Sequence, residues 1–231
     1  MTVSVVIPVY NHQDQVAEVI RQALQLGLPV FVVDDGSTDG TPEVLAACKG
    51  ICVLRHPVNL GKGAALLTGF AAASEVGDWV LTLDADGQHL PQDGLGFLKI
   101  AEGGRRVIAV GVRQGMGGEH VPWTSRFGRG FSNFWVWAAG GPWVADSQSG
   151  FRLYPLPEAL RLGVAARRYQ FEVEILVKAK RFGIGTVEVP VSVVYQPRGV
   201  RVSHFRPWRD FFRNSETFSR LIFSRFFPGG R

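Results

Sequence analysis

Short β-branched runs and longer helical patterns alternate through the first half of the chain, and few folds accommodate that rhythm. Val3–Val9, Val30–Asp34, Ile51–Arg55, Trp79–Leu83 and Val107–Val112 read as strands. Between them Gln13–Leu26, Thr41–Cys48, Gly61–Ser74 and Gln92–Ala101 carry helical spacing. A strand, helix, strand order requires crossover connections, so the expected fold is α/β, in three α/β/α layers with a mostly parallel central sheet. Further on, residues 123–139 and Phe171–Phe182 read as helices, and Gly150–Tyr154 and Thr186–Tyr195 as later strands. Residues 1–196 are expected to form one domain, followed by a basic, aromatic segment over 197–231. In open sheets of this kind ligands lie beyond the carboxyl ends of the strands. The residues that follow each strand are therefore where a site should be sought.

Charge is divided unevenly. Residues 1–100 hold 5 basic and 11 acidic side chains, a net of −6, whereas residues 101–231 hold 20 basic and 9 acidic ones, a net of +11. A cation is expected at the acidic part and anions at the basic part. Arg outnumbers Lys by 20 to 5, which suits forked recognition of phosphate. Nucleic acid is one such anion, but no nucleic-acid-binding motif is present, and membrane phosphate is preferred. Cys48 and Cys52 have poor zinc spacing and no partners for a disulfide framework, so both are read as reduced structural thiols of a reducing compartment. The first residues lack the basic region of a secretory signal, and Phe131–Ala145 is too short and too glycine-rich to span a bilayer.

Two carboxylate groups stand at strand ends. Asp34 and Asp35 open Asp34-Asp35-Gly36-Ser37-Thr38-Asp39-Gly40-Thr41, where Asp39 or Thr41 caps the next helix and the adjacent pair is placed to bind a base or ribose. Asp84 and Asp86, in Asp84-Ala85-Asp86-Gly87-Gln88-His89, can both face one divalent cation, with Gln88 as a neutral oxygen ligand. Hard Mg²⁺ or Mn²⁺ suits that set. Asn59-Leu60-Gly61-Lys62-Gly63 lacks the P-loop pattern, yet its glycines let a ligand approach a helix start, where Lys62 either touches a nucleotide or is merely solvated. Arg113–Pro122 is glycine-rich and unpatterned, and reads as a mobile loop able to close over a ligand.

Taken in order, Val5-Val6-Ile7-Pro8-Val9-Tyr10-Asn11, the two acidic motifs, Asn-Leu-Gly-Lys-Gly and Asp146-Ser147-Gln148-Ser149-Gly150-Phe151-Arg152 resemble the family 2 glycosyltransferases of GT-A (Rossmann-like) fold. The similar branch contains dolichyl-phosphate mannose synthase and bacterial polyprenyl-phosphate glycosyltransferases, and the match runs to about Ser203. The resemblance implies that Pro8, Tyr10, Asp34 and Asp35 frame the donor nucleoside, while Asp84, Asp86 and Gln88 hold metal and donor phosphates. It implies that Arg113 meets an acceptor phosphate, with Arg198 and Ser203 in an Arg-x4-Ser acceptor segment. Arg126, Arg129 and Ser132 stand in for an Arg-x3-Ser arrangement at altered spacing, and His204 replaces a common lysine.

The implied chemistry is an inverting transfer of a sugar from a nucleotide diphosphate sugar to a polyprenyl phosphate, with Asp86, Asp146 and Arg113 as its catalytic candidates. A phosphate acceptor needs no strong base; a hydroxyl acceptor does, and Asp146 is the candidate for that role. Arg152 is read as a brace. The same fold acting on a hydroxyl of a glycolipid or polysaccharide, or a nucleotide-sugar-binding module without turnover, are the alternatives. From Arg206 to Phe227 arginines interleave with aromatic residues as in a helix lying in a membrane interface. The expected setting is therefore peripheral, on the cytoplasmic face of a membrane.

Overall fold

In the computed structural model, residues 1–114, 123–193, 219, 221 and 222 are described, with backbone alone for 123–128. The elements are β1 (Val3–Val9), α1 (Val16–Leu24), β2 (Val30–Asp34), α2 (Thr41–Ala47), β3 (Ile51–Arg55), α3 (Lys62–Ser74) and β4 (Trp79–Thr82). A 3-10 turn at Pro91–Asp93 leads into α4 (Gly94–Glu102), β5 (Val107–Arg113) and α5 (Trp123–Ala138). Then follow β6 (Arg152–Pro155), α6 (Glu158–Arg161), α7 (Phe171–Arg181) and β7 (Gly185–Val191).

The strands form one seven-stranded sheet in the order β3-β2-β1-β4-β6-β5-β7. All neighbours are parallel except β6, which runs antiparallel to both β4 and β5. Side-chain alternation splits the core in two. Val6 and Val33 face Phe70 of α3, Val136 of α5 and Phe171 of α7, whereas Val5, Ile7 and Val32 face α1 and Phe97 of α4. The three expected layers follow. Helix α1 shows the cause in its sequence: Val16, Val19, Ile20 and Ala23 recur at helical spacing and all four are buried.

Boundaries differ where loops claim residues. Gln13 was expected in the first helix, but its N–H bonds Asp39 Oδ2 and its Oε1 accepts from Gly40, so α1 begins at Val16. Cys52 lies on the outer strand β3 with its side chain exposed, which corrects its reading as a structural thiol; Cys48 is half-buried and both are free. In the C-terminal segment, Leu221 is buried in the core on the α5 and α7 side, and its carbonyl accepts from Arg181 Nη2 at 2.6 Å. There the chain packs on the domain rather than standing apart from it. Among the described residues no helix is long and apolar enough to cross a membrane.

Two topological facts position a site. Strand order reverses between β1 and β4, leaving a crevice at their carboxyl ends. Because β6 is antiparallel, the residues entering it, Asp146–Phe151, arrive at the carboxyl ends of β4 and β5.

Candidate functional site

The crevice opens at Pro8. Backbone bonds place odd residues of β1 toward β2, as in Val5 N–H to the Pro29 carbonyl, and even ones toward β4, as in Leu83 N–H to the Val6 carbonyl. The ladder with β4 ends at Val6 opposite Thr82, so the missing N–H of Pro8 falls where no partner strand remains. Pro8 itself is buried, and the half-buried Tyr10, the first residue after β1, stands at the rim. Beyond it, Asn11 N–H donates to Ser37 Oγ and Asn11 Oδ1 accepts from Thr38 N–H, which locks the loops after β1 and β2 together.

Asp34 and Asp35 have different environments. Asp35 is buried, and its carboxylate takes His56 Nδ1 at 2.7 Å, Leu60 N–H at 2.9 Å and Gly61 N–H at 2.8 Å. Beside the nucleoside-framing role that the resemblance implies for it, Asp35 shapes the turn that precedes α3. Asp34 accepts Ser37 N–H through Oδ1, while Oδ2 lies 3.2 Å from Arg55 Nε in an ion pair off the hydrogen-bonding direction. Arg55 is half exposed, so Asp34 has the movable partner.

The turn shaped by Asp35 delivers Lys62. Gly61 adopts φ +103°, and a Cβ there would strike the Arg167 carbonyl, so this loop seats closely against residues 165–168. Lys62 Nζ then lies 2.6 Å from Asp84 Oδ1 and 2.5 Å from Glu172 Oε1. Burial pulls the ammonium's pKa down, but the two carboxylates outweigh it and raise it well above the usual value. The corresponding balance at Asp84 is burial against Lys62, and its carboxyl ends lower than usual.

Asp86 shows the opposite balance. Burial first, and then the charge of Asp84, push its carboxyl above the ordinary value, although Gln88 N–H donates to Oδ1 at 3.0 Å. Two carboxylates near enough to repel, half-buried at the end of β4, fit a divalent cation that would relieve them. Among the described residues no three His, Cys, Asp or Glu side chains gather as a metal cage. A set of two carboxylates, with the half-buried Gln88 beside them, leaves positions for phosphate oxygens, as Mg²⁺ sites do. Gly150 closes the other side: a Cβ there would come within 2.3 Å of Asp84 Oδ2. His89 is buried against the Phe151 ring at 5.5 Å, and burial lowers its pKa despite the nearby aspartates.

At the end of β5, Arg113 Nε and Nη2 bond Asp146 Oδ2 and Oδ1 at 2.5 and 2.9 Å. Asp146 is fully buried, with both oxygens given to that fork. In this arrangement it aims Arg113. The fully buried Arg152 braces the same loop, donating to the carbonyls of Ser149, Ser147 and Glu172 at 2.7, 2.7 and 2.8 Å. Ser132, expected at the acceptor, is buried with its hydroxyl bonded to Ser147 Oγ at 2.9 Å, so it ties α5 to this loop. Arg129 is half-buried on α5; the side chain of Arg126, residues 115–122 of the expected mobile loop, and Arg198 and Ser203 lie outside the described residues. Glu172 stands in Phe171-Glu172-Val173-Glu174, a landmark of the resembled branch, but its pairing with Lys62 was not read from sequence, nor were His56 and the bracing role of Ser132, because each acts through a partner distant in the chain.

The family model described as glycosyl transferase family 2 matches residues 4–155. The chain is 29% identical to a UDP-N-acetylglucosamine–dolichyl-phosphate N-acetylglucosaminyltransferase of Methanococcus voltae, over 82% of this chain and 84% of that one. It is also 29% identical to a polyprenol monophosphomannose synthase of Mycolicibacterium smegmatis, over 85% and 78%. In structure it resembles mannosyl-3-phosphoglycerate synthase from Rubrobacter xylanophilus, with a TM-score of 0.67, 24% identity and coverage of 97% and 74%, a likeness of fold.

Proposed function

Because the chain belongs to glycosyl transferase family 2, it transfers sugars, and we propose that it moves one from a nucleoside diphosphate to the phosphate of a polyprenyl carrier at a membrane surface. The observation that carries the acceptor class is the Arg113–Asp146 fork. An ionised phosphate needs orientation by a guanidinium and no base, whereas a hydroxyl needs a carboxylate with an oxygen to spare. Asp146 has none, and Arg113 is held in one plane by it. The names of both relatives above, which specify dolichyl-phosphate and polyprenol monophosphate chemistry, support the same class.

The donor's nucleoside belongs at the β1 and β2 rim, by Tyr10 and Asp34, and its diphosphate beside Asp84 and Asp86. Asp84, Asp86 and Gln88 would hold Mg²⁺ or Mn²⁺, which supplies Lewis-acid stabilisation of the departing diphosphate. The protein's own part is to fix geometry. Gly150 and Lys62 set the Asp84 carboxylate, the turn at Gln88 sets Asp86, and Asp146 aims Arg113 so that a phosphate oxygen meets the anomeric carbon opposite the leaving group. A single displacement from that side inverts the anomeric centre.

A membrane setting is supported by the outer face of α5. Phe134, Trp137 and Trp143 are exposed and form a ladder with ring centroids 6.1 and 6.2 Å apart. Lys180 borders Trp137 and bonds the Gly141 carbonyl, an acceptor that leaves its charge in place. Interfacial rings beside a cation match an anionic bilayer surface. The inner side of α5 binds the Asp146 loop through Ser132 and Asn133, so docking this face would hold the acceptor edge close to the lipid. The test is transfer of radiolabelled sugar from a nucleotide-sugar panel to undecaprenyl phosphate with Mn²⁺. A product cleaved by mild acid and lost in Asp84→Ala is expected; a product stable to mild acid contradicts the phosphate linkage.

A further inference from the structure

Lys62 is shared by two carboxylates that are not equivalent. Glu172 is 5% exposed, in the first turn of α7, and Arg152 Nη1 grips its backbone carbonyl at 2.8 Å. Asp84 is 25% exposed, follows β4, and repels Asp86. The root of Lys62 is fixed as well. Gly61 is wedged on the Arg167 carbonyl, which also accepts Ala64 N–H at 3.0 Å. One end of the shared pair is therefore rigid, and the contact with Asp84 is the one that can be exchanged.

An ammonium 2.6 Å from Asp84 Oδ1 opposes a divalent cation on the same carboxylate, since like charges a few ångströms apart repel. A donor diphosphate changes that balance, because it offers the ammonium another anion. We propose that Lys62, anchored by Glu172, is a resident counter-cation of the metal site. It positions Asp84 before the donor arrives, disfavours a divalent cation by itself, and passes from Asp84 to the diphosphate when cation and nucleotide enter together. Glu172 is a positioning residue in this device. It keeps the ammonium from resting wholly on Asp84. The inference rests on the metal and donor reading above and adds an order to it: cation and nucleotide bind as a pair.

The experiment measures Mn²⁺ binding to the full chain by the electron paramagnetic resonance signal of free Mn²⁺, with and without UDP or GDP. Wild type should bind Mn²⁺ weakly alone and at least about tenfold more tightly with the matching nucleotide. Lys62→Met should bind Mn²⁺ alone about tenfold more tightly than wild type and lose most of the nucleotide enhancement. Glu172→Gln should shift the other way, weakening Mn²⁺ alone while keeping the enhancement. Opposite signs are the signature, because a merely structural ion pair would make both variants lose Mn²⁺ together with melting temperature, and that result overturns the proposal. If Lys62→Met does not fold, Glu172→Gln decides: weaker Mn²⁺ with retained enhancement supports the device, and unchanged Mn²⁺ affinity refutes it. Wild type that binds no Mn²⁺ with either nucleotide removes the metal reading itself, and the wild-type arm shows this separately.

Discussion

Asp146→Asn separates a brace from a base. The carboxylate is fully buried and makes two charge-assisted bonds to Arg113, at 2.5 and 2.9 Å. Asparagine keeps one acceptor but turns an amide donor toward a guanidinium that only donates. Breaking a buried pair from one side costs about 3–5 kcal/mol, and the lower end applies here because the Arg113 side chain retains 19% exposure. For a domain of this size about 3 kcal/mol lowers Tm by roughly 6–12 °C. Loosening the guanidinium should also raise KM for the lipid phosphate and lower kcat by roughly 10- to 100-fold, the scale of a misplaced orienting group. Calorimetry gives the first quantity and radiolabelled transfer the second. A cycle with Arg113→Met should show a coupling of about 2 kcal/mol, since either single change already loses the pair. Asp146→Asn that melts within a degree of wild type, keeps its acceptor KM and loses transfer by roughly 10³-fold or more would mark a general base and refute the assignment.

Two further outcomes follow from the same geometry. The raised carboxyl of Asp86 means that the folded state holds its proton more tightly than the unfolded chain, so its stabilising contribution is present below the unfolded value of 3.8 and lost as pH rises through the folded one. Asp86→Asn should therefore melt a few degrees higher than wild type at neutral pH without metal, lose that advantage below about pH 4, and cut transfer roughly 10²- to 10³-fold; a lower melting point at neutral pH speaks against the uncompensated carboxylate. Replacing Trp137 and Trp143 by serine should reduce sedimentation with anionic vesicles by about tenfold while leaving UDP or GDP binding unchanged, and unaltered sedimentation excludes the α5 face as the lipid contact.

The layers and strand positions were legible because burial imposes short periods. The spans expected for β1, β2 and β3 agree with the structure to the residue, since each is a β-branched run bounded by turn residues. Carboxylates at strand ends were also visible, because adjacency in sequence becomes adjacency in space at a turn. The partners of those groups were not. Lys62 and Glu172 are 110 residues apart, and Asp35 finds its donors 21 to 26 residues away. No local pattern encodes such contacts. Arg152 is the plainest case: its role as a brace was legible, but not its partners, since it is wholly buried to donate to the carbonyls of Ser147 and Ser149 in an irregular loop and of Glu172 in α7.

The direction of β6 explains why those long-range contacts meet at one place. A parallel strand between β4 and β5 would send its leading loop to the opposite edge of the sheet, and Asp146 would lie far from Arg113. Running antiparallel, β6 brings its approach loop to the carboxyl edge, where Thr82 Oγ donates to the Gly150 carbonyl at 2.7 Å and Gly111 N–H to the Phe151 carbonyl at 2.9 Å. One loop thereby touches both halves of the chemistry. Gly150 bears on Asp84, at the metal and donor side, and Asp146 holds Arg113, at the acceptor side. Since Arg152 ties this loop to the α7 carbonyl of Glu172, the residue that anchors Lys62, donor and acceptor sides share one rigid support. A displacement of that support should disturb both sides together.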